Sequence, residues 1–319
     1  MTIGRSRSDR PAKRFSLALI IPTKNRPEQI RDLLRSCGRQ TVLPQKILIV
    51  DGSRSPLAGI DGEFSSLPVQ YIRNSKDTST TIQKNIGLRH LPPEIDLVGF
   101  LDDDIVLSDD ALKKMLRFWN TAPLAVGGAS FRIANDLPTS EGCLRELFQV
   151  GSKKIGEVLA SGFTSRIAGH PRDVEVQWLP GGASVWRRPL FKEFQFDEAF
   201  RGYGYLEDLD FSYRVGKKFR LVAVSDAKVV HYGTPVKSGD PFAFGVTQVL
   251  NRHYFVSKNR ELSKGLFLWA SVGNVLMNLV MSLKTRHLSF LRVFLGNIWG
   301  MITLALKNRS MPSPAHEVR

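Results

Sequence analysis

At 319 residues, with 42% hydrophobic and 24% charged residues, the chain has an ordinary globular composition, which excludes disorder as its main theme and suits one large α/β domain or a domain with an appendage. A formal charge of +15 calls for an anionic partner: nucleic acid, a phospholipid surface or a phosphorylated substrate. Cys37 and Cys143 are isolated and fit no metal spacing, which points to a reducing compartment and at most a structural role.

Residues 1–14 carry Arg5, Arg7, Arg10, Lys13 and Arg14 and read as a basic, flexible N-terminus. The apolar run 15–21 breaks at Pro22. It is too short for a signal-peptide core, so secretion is not expected, and it reads as a strand buried on both faces. Pro22-Thr23-Lys24-Asn25-Arg26 then forms a loop, Pro27 suits the first turn of a helix, and Ile30, Leu33 and Leu34 supply its apolar stripe up to Gly38. A second strand over 46–50 ends on Asp51-Gly52-Ser53, a third covers 69–72, a helix covers 78–89, and a fourth strand covers 97–101. This alternation predicts a mostly parallel, doubly wound sheet with ligands beyond the carboxyl ends of its strands. Thr23, Asn25, Arg26, Asp51 and Asp102-Asp103-Asp104 stand at those ends.

A buried strand that stops on three acids is costly, because crowded carboxylates repel unless a cation neutralises them. Alternate side chains of an extended segment share a face, so Asp102 and Asp104 are expected to point the same way. Two hard oxygen ligands there suit Mg²⁺ or Mn²⁺ bridging to a diphosphate. Ser108 is expected to cap the following helix, with Asp109 and Asp110 at its positive end.

The stretch 125–170 is less legible. Gly127-Gly128-Ala129 suggests close backbone packing, and 135–172 reads as an insertion with one helix near 144–150. Pattern returns at Trp178-Leu179-Pro180-Gly181-Gly182-Ala183, at Tyr203-Gly204-Tyr205, and at Leu206-Glu207-Asp208-Leu209-Asp210-Phe211, where a helix is expected over 207–217. Two strands follow, at 221–224 and 228–230, and His231 terminates the second.

In this order, Ile20-Ile21-Pro22-Thr23-Lys24-Asn25-Arg26, Ile49-Val50-Asp51-Gly52-Ser53, Gln83-Lys84-Asn85-Ile86-Gly87, Phe100-Leu101-Asp102-Asp103-Asp104, Gly181-Gly182-Ala183, Glu207-Asp208-Leu209-Asp210 and Val230-His231 resemble the family 2 glycosyltransferases, over residues 15 to about 260. The resemblance implies an inverting enzyme on the α/β GT-A fold, a doubly wound mixed sheet, here followed by apolar or amphipathic C-terminal helices. It implies that Pro22, Thr23, Asn25, Arg26, Asp51, Lys84, Asp102 and Asp103 hold the donor nucleotide, with Asp51 at its base or ribose. Asp104 would bind Mg²⁺ or Mn²⁺, helped by Asp102 and His231. Asp208, or as second choice Glu207, would deprotonate the acceptor hydroxyl. Lys84 stands where the family often has Arg, so it would meet a phosphate or ribose as a point charge rather than a fork. Gly181 and Gly182 would let the backbone approach a sugar closely, and Trp178, Trp186, Tyr203 and Tyr205 are the aromatics available to stack on sugar faces, although aromatics near a core more often pack there. The chemistry agrees: displacing a nucleoside diphosphate builds negative charge on the leaving group, and a single displacement needs one base on the opposite face of the sugar.

Residues 265–283 carry no charge, and a second apolar stretch runs on to about 306. The first is just long enough to span a bilayer. Ser271, Asn274, Asn278 and Ser282 recur three to four apart, however, which favours a helix lying in the membrane interface with basic residues on anionic lipid; a single span and a soluble hairpin are the alternatives. The expected division is a basic segment 1–14, a catalytic domain 15–260, a membrane-associated helical region 261–307 and a tail 308–319. The expected location is the cytoplasm, peripheral at the inner face of the membrane. The expected partners are a nucleotide sugar, a glycan or lipid-linked acceptor as in surface-polysaccharide synthesis, and an anionic membrane, but no nucleic acid. Two rivals use the same residues otherwise. A metal-dependent phosphohydrolase or nucleotidyltransferase would use the aspartates, although Pro22-Thr23 stands where a haloacid-type phosphatase needs its nucleophile. A basic nucleic-acid binder would not need the acidic crevice.

Overall fold

The computed structural model describes residues 15–57, 59–136, 142–233 and 240–309. The expected basic segment 1–14 and nearly all of the tail 308–319 lie outside the described residues.

Four parallel strands open the sheet: β1 (Leu17–Thr23), β2 (Lys46–Asp51), β3 (Val69–Arg73) and β4 (Leu97–Leu101). Helices α1 (Pro27–Gly38), α2 (Ile60–Glu63) and α3 (Thr80–Arg89) connect them. The chain continues through β5 (Ile105–Leu107), α4 (Ala111–Thr121), β6 (Val126–Ile133), α5 (Cys143–Leu147), β7 (Val174–Val176), β8 (Ala183–Arg187), α6 (Glu207–Gly216) and β9 (Arg220–His231). The sheet order is β3-β2-β1-β4-β8-β6-β9-β5, with β7 paired to β9. β8 runs antiparallel to both β4 and β6, so the sheet is mixed.

Period-2 alternation sorts the apolar strand residues onto two cores. Leu17, Leu19 and Ile21 face one core with Leu33, Leu34, Met115 and Trp119, while Ala18 and Ile20 face the other with Trp186, Phe196 and Phe211. Burial on both faces explains why these strands read as unbroken apolar runs. The order reverses between β1 and β4, and the crevice above that switch point holds the candidate site.

Two local expectations are corrected. The strands at 221–224 and 228–230 are one strand, β9. Its register against β6 jumps from Ser130↔Ala223 to Arg132↔Lys228, so extra residues around Ser225 and Asp226 bulge out and interrupt the apolar pattern. Ser108 does not cap α4. Asp110 takes the cap position in the left-handed region (φ 60°), its carboxylate accepts from the Thr41 hydroxyl, and the Gln40 side chain accepts from Leu112 N instead.

Three helices complete the chain: α7 (Pro241–Lys258), α8 (Lys264–Thr285) and α9 (Leu288–Arg309). Phe255 and Val256 of α7 and Phe267 of α8 share a buried cluster with Phe200 and Leu209, which ties the helices to the start of α6. α7, which the sequence places in the catalytic domain, packs along α9 at backbone contact. A Cβ on Gly296 would lie 2.1 Å from the carbonyl oxygen of Phe242, and one on Gly245 2.3 Å from that of Val293. Gly296 and Gly300 are spaced as in close-packed membrane helices. Helix propensity alone predicts that Gly296→Ala stabilises by about 1 kcal/mol. The contact with Phe242 reverses the sign, and the variant is expected to melt several degrees below wild type by circular dichroism. An equal or higher midpoint would refute the close approach.

The polar stripe on α8 is corrected as well. Asn297 of α9 is fully buried; its amide donates to Gly245 O at 2.8 Å and its carbonyl oxygen accepts from Asn278 at 2.9 Å and Asn274 at 3.4 Å. Ser271 is buried beside them. The stripe therefore faces the helix bundle rather than water, and Leu268, Leu276, Val280, Leu283, Leu295 and Ile302 form the exposed face.

Candidate active site

The loops after β1 and β2 are clasped together. Asn25 adopts the left-handed region (φ 57°); its N–H donates to Ser53 Oγ at 2.7 Å and its side-chain oxygen accepts from Arg54 N at 3.0 Å. Pro22, the penultimate residue of β1, pairs with Val50. Gly52 donates to Thr23 O at 2.9 Å and leaves no room for a Cβ, which would sit 2.4 Å from the Gln83 amide. Asp51 is fully buried. Its carboxylate accepts from Ser53 N at 2.7 Å, the Tyr71 hydroxyl at 2.7 Å, Leu57 N at 3.3 Å and Arg73 at 3.4 Å. Asp51 thus shapes the loop from beneath; Tyr71, read in the sequence only as a strand residue, and Arg73, one residue past the strand expected over 69–72, arrive beside it because β3 extends to Arg73, in register with Asp51.

The aspartate triplet splits between two tasks. Asp103 turns across the switch point, accepting from Thr23 Oγ1 at 2.8 Å and from Arg26 at 2.8 Å, and burial pushes its carboxyl up to about 6 against those two donors. Arg26 also reaches Asp104 at 3.3 Å. Asp102 and Asp104 gather with His231, their ligand atoms all within 4.8 Å of one another. His231 is delivered by strand pairing: β5 runs antiparallel to β9 with Ile105 opposite His231, so the residue after the triplet fixes where the imidazole stands. Its Nε2 lies 3.0 Å from Asp104 Oδ1, and that hydrogen bond raises the imidazole pKa despite burial. Burial also raises Asp102, with the neighbouring charge of Asp104 adding to it and Lys84 opposing. Two carboxylates and an imidazole, crowded in this way, suit a divalent cation of the Mg²⁺ or Mn²⁺ type.

Across the crevice, Gly204 (φ 72°) and Leu206 (φ 71°) turn the chain in the left-handed region into α6. This presents Glu207 and Asp208 beneath Gly181 and Gly182. Asp208 is half-buried; its Oδ2 accepts from Gly181 N at 3.0 Å and its Oδ1 from Leu209 N at 2.8 Å. Glu207 is buried, its Oε1 2.6 Å from Lys84 Nζ and its Oε2 without a hydrogen-bond partner, and burial pushes it up to about 7.

Several expected roles change. Lys84 is only 1% exposed and bonds Glu207 and Gly181 O, so it is not a free point charge for a phosphate. The room at Gly181 and Gly182 is taken by the protein's own side chains. A Cβ at Gly182 would lie 2.0 Å from the Asp102 carboxyl, and one at Gly181 2.7 Å from Asp208 Cβ. Trp178 packs in the core beside α7 and donates to Ser165 O at 3.1 Å, and the Tyr205 hydroxyl accepts from Arg252 at 2.8 Å; neither is turned toward Asp102 and Asp104. Tyr203 is the aromatic at the crevice mouth, 63% exposed. Its phenol feels the charges of Asp102, Asp104 and Asp208, and its ring meets the edge of Phe244 on α7 at 5.7 Å. Tyr203 is one of the four aromatics expected as sugar stackers; Trp186, another, is buried in the core with Phe196 and Phe211.

Residues 18–166 match the family described as Glycosyl transferase family 2. An uncharacterised glycosyltransferase of Bacillus subtilis, YwdF, is 26% identical over 68% of this chain and 74% of its own length. The O-antigen chain rhamnosyltransferase RfbN of Salmonella typhimurium is 26% identical over 35% of each chain. Among solved structures, the mannosyltransferase PcManGT of Pyrobaculum calidifontis, in complex with GDP-Man and Mn²⁺, superposes with a TM-score of 0.56 at 14% identity, covering 91% of this chain and 88% of that one. Residues 18–166, a little under half of the chain, are similar to the family 2 glycosyltransferases, relatives along more of the chain carry glycosyltransferase names, and the mixed sheet has the GT-A fold, which supports a transferase.

Proposed function

We propose that the crevice transfers a sugar, with inversion, from a nucleoside-diphosphate donor to a hydroxyl of a glycan or lipid-linked acceptor in surface-polysaccharide synthesis. One observation carries this reading. Asp102, which clusters with Asp104 and His231, lies against Gly182, and the half-buried Asp208 lies against Gly181, so candidate cation ligands and a candidate base flank one pair of glycines. RfbN acts on an O-antigen chain and PcManGT binds GDP-Man and Mn²⁺, and both fit the proposal.

Asp104, Asp102 and His231 would hold Mg²⁺ or Mn²⁺, which when bound neutralises charge on a diphosphate leaving group. Thr23, Arg26 and Asp103 brace the loop on the nucleotide side, and Asp51 supports it from below through Ser53 N and Leu57 N. Asp208 accepts the proton of the attacking hydroxyl. It is half-buried and free of any ion pair among the described residues, whereas Glu207 is buried and paired with Lys84.

The exposed apolar face of α8 and α9 supports a bilayer as partner. Each helix has 22 residues, about 33 Å at about 1.5 Å per residue, and Asn274 and Asn278 of α8 meet Asn297 of α9 between them. That arrangement favours insertion of the hairpin's outer face into lipid at the cytoplasmic leaflet.

The test of the donor site is Asp104→Asn. The variant is expected to keep its far-ultraviolet dichroism and to lose at least about tenfold in Mn²⁺-dependent affinity for UDP or GDP, measured by calorimetry against whichever binds wild type. Equal affinity with and without the carboxylate would sink the assignment.

A further inference from the structure

We infer that Lys84 is a positioning residue that aims Asp208 through the main chain of Gly181. The inference rests on Asp208 being the base of the proposed reaction. Lys84 lies on α3, under the floor of the crevice, and is 1% exposed. Its ammonium is 2.6 Å from Glu207 Oε1 and 3.1 Å from Gly181 O, and it stands over the rings of Phe100 at 5.6 Å and Phe196 at 5.2 Å. An ammonium has three protons; two have oxygen acceptors here and aromatic faces close the remaining approach.

Both polar groups of the Gly181 main chain are engaged. Its carbonyl accepts from Lys84, and its N–H donates to Asp208 Oδ2 at 3.0 Å. Glu207, the other partner of Lys84, is the residue before Asp208. Lys84, Gly181, Asp208 and Glu207 therefore close a ring, and the carboxylate of Asp208 is one member of it. Gly181 admits no side chain, since a Cβ would lie 2.8 Å from Lys84 Nζ and 2.9 Å from Glu207 Oε1. Desolvating an ion pair consumes most of what its attraction returns, so stability is a weak reason to bury one. Fixing the direction of a base is a sufficient reason, because a misaimed base loses rate steeply.

Three variants test this: Lys84→Met, Asp208→Asn and the pair together. Lys84→Met is expected to lower kcat at least about thirtyfold, with KM for the donor and the Mn²⁺-dependent affinity for UDP or GDP within about twofold of wild type. Added to Asp208→Asn, it is expected to cost nothing further, since a residue that acts through Asp208 has nothing left to aim. A tenfold loss of nucleotide affinity in Lys84→Met would put Lys84 to work on the donor side, as a phosphate ligand or through the charge of Asp102, and overturn the inference. Losses that multiply in the double variant would overturn it too. Should Glu207, left unpaired, prevent Lys84→Met from folding, Lys84→Met with Glu207→Gln is compared with Glu207→Gln alone, and the same two outcomes decide. If wild type binds nucleotide yet transfers no sugar from any donor, the glycosyl-transfer reading fails, and the calorimetric result still decides whether Lys84 works on the donor side.

Discussion

Asp208→Asn is expected to slow sugar transfer by about a hundredfold or more, the usual scale for losing a general base, while leaving nucleotide affinity within about twofold. The substitution keeps the size of the side chain. It also keeps one of the two oxygens that now accept from the backbone, Oδ2 from Gly181 N and Oδ1 from Leu209 N. What disappears is the capacity to take a proton. The donor side is built from other residues: Asp102, Asp104 and His231 at the cation cluster, and Thr23, Arg26 and Asp103 in the loop. Loss of rate without loss of binding thus separates a transferase from a nucleotide binder. Glu207→Gln is expected to be milder, because Glu207 is buried and paired with Lys84. The opposite ranking would exchange the two roles, and full activity in both variants would end the mechanism.

The sheet was legible because burial on both faces leaves a simple trace. Runs such as Leu17–Thr23 and Lys46–Asp51 are apolar throughout and stop on polar residues at the crevice. The alternation of an extended chain predicts Asp102 and Asp104 on one face; the structure gathers both in one cluster, but through a turn at Asp103 and Asp104 in which Ile105 N donates to Asp102 O at 3.1 Å. What stayed hidden depends on partners distant in sequence. Nothing near Lys84 tells that its ammonium is buried against Glu207, 123 residues away. Nothing near α4 tells that Gln40 serves its first turn, because an amide 72 residues earlier does the work expected of a local hydroxyl. Gly181 and Gly182 read as places where the backbone approaches a sugar, and sequence alone could not say that the Asp102 and Asp208 side chains of the protein itself pack against them. The polar stripe of α8 is the same lesson in reverse. A period of three to four says which residues share a helix face, and only the position of Asn297 says whether that face looks at water or at another helix.

Replacing Leu276 and Val280 together by Glu is expected to abolish binding to vesicles of phosphatidylglycerol and phosphatidylcholine, lowering the partition coefficient at least about a hundredfold. The two residues lie one turn apart on α8 and are 45% and 60% exposed, so the substitutions disturb little packing and the melting temperature should hold. Each loses an apolar contact with lipid worth about 1.5–3 kcal/mol when fully buried. Each also places a carboxylate where a charge costs about 2.5–3.5 kcal/mol near the bilayer centre. Even a fraction of that sum exceeds the roughly 2.7 kcal/mol that a hundredfold change requires. Leu124, 83% exposed on the catalytic body, is the control, and Leu124→Glu is expected to leave partitioning unchanged. Salt distinguishes the remaining alternative. An attachment made only by the surplus of 15 positive charges would survive the α8 substitutions and be stripped by high salt, because exposed charges are screened within about 8 Å at physiological ionic strength. Survival of that kind would remove α8 from the membrane contact, whereas loss of binding in the double variant at low salt would establish that its apolar face enters the lipid.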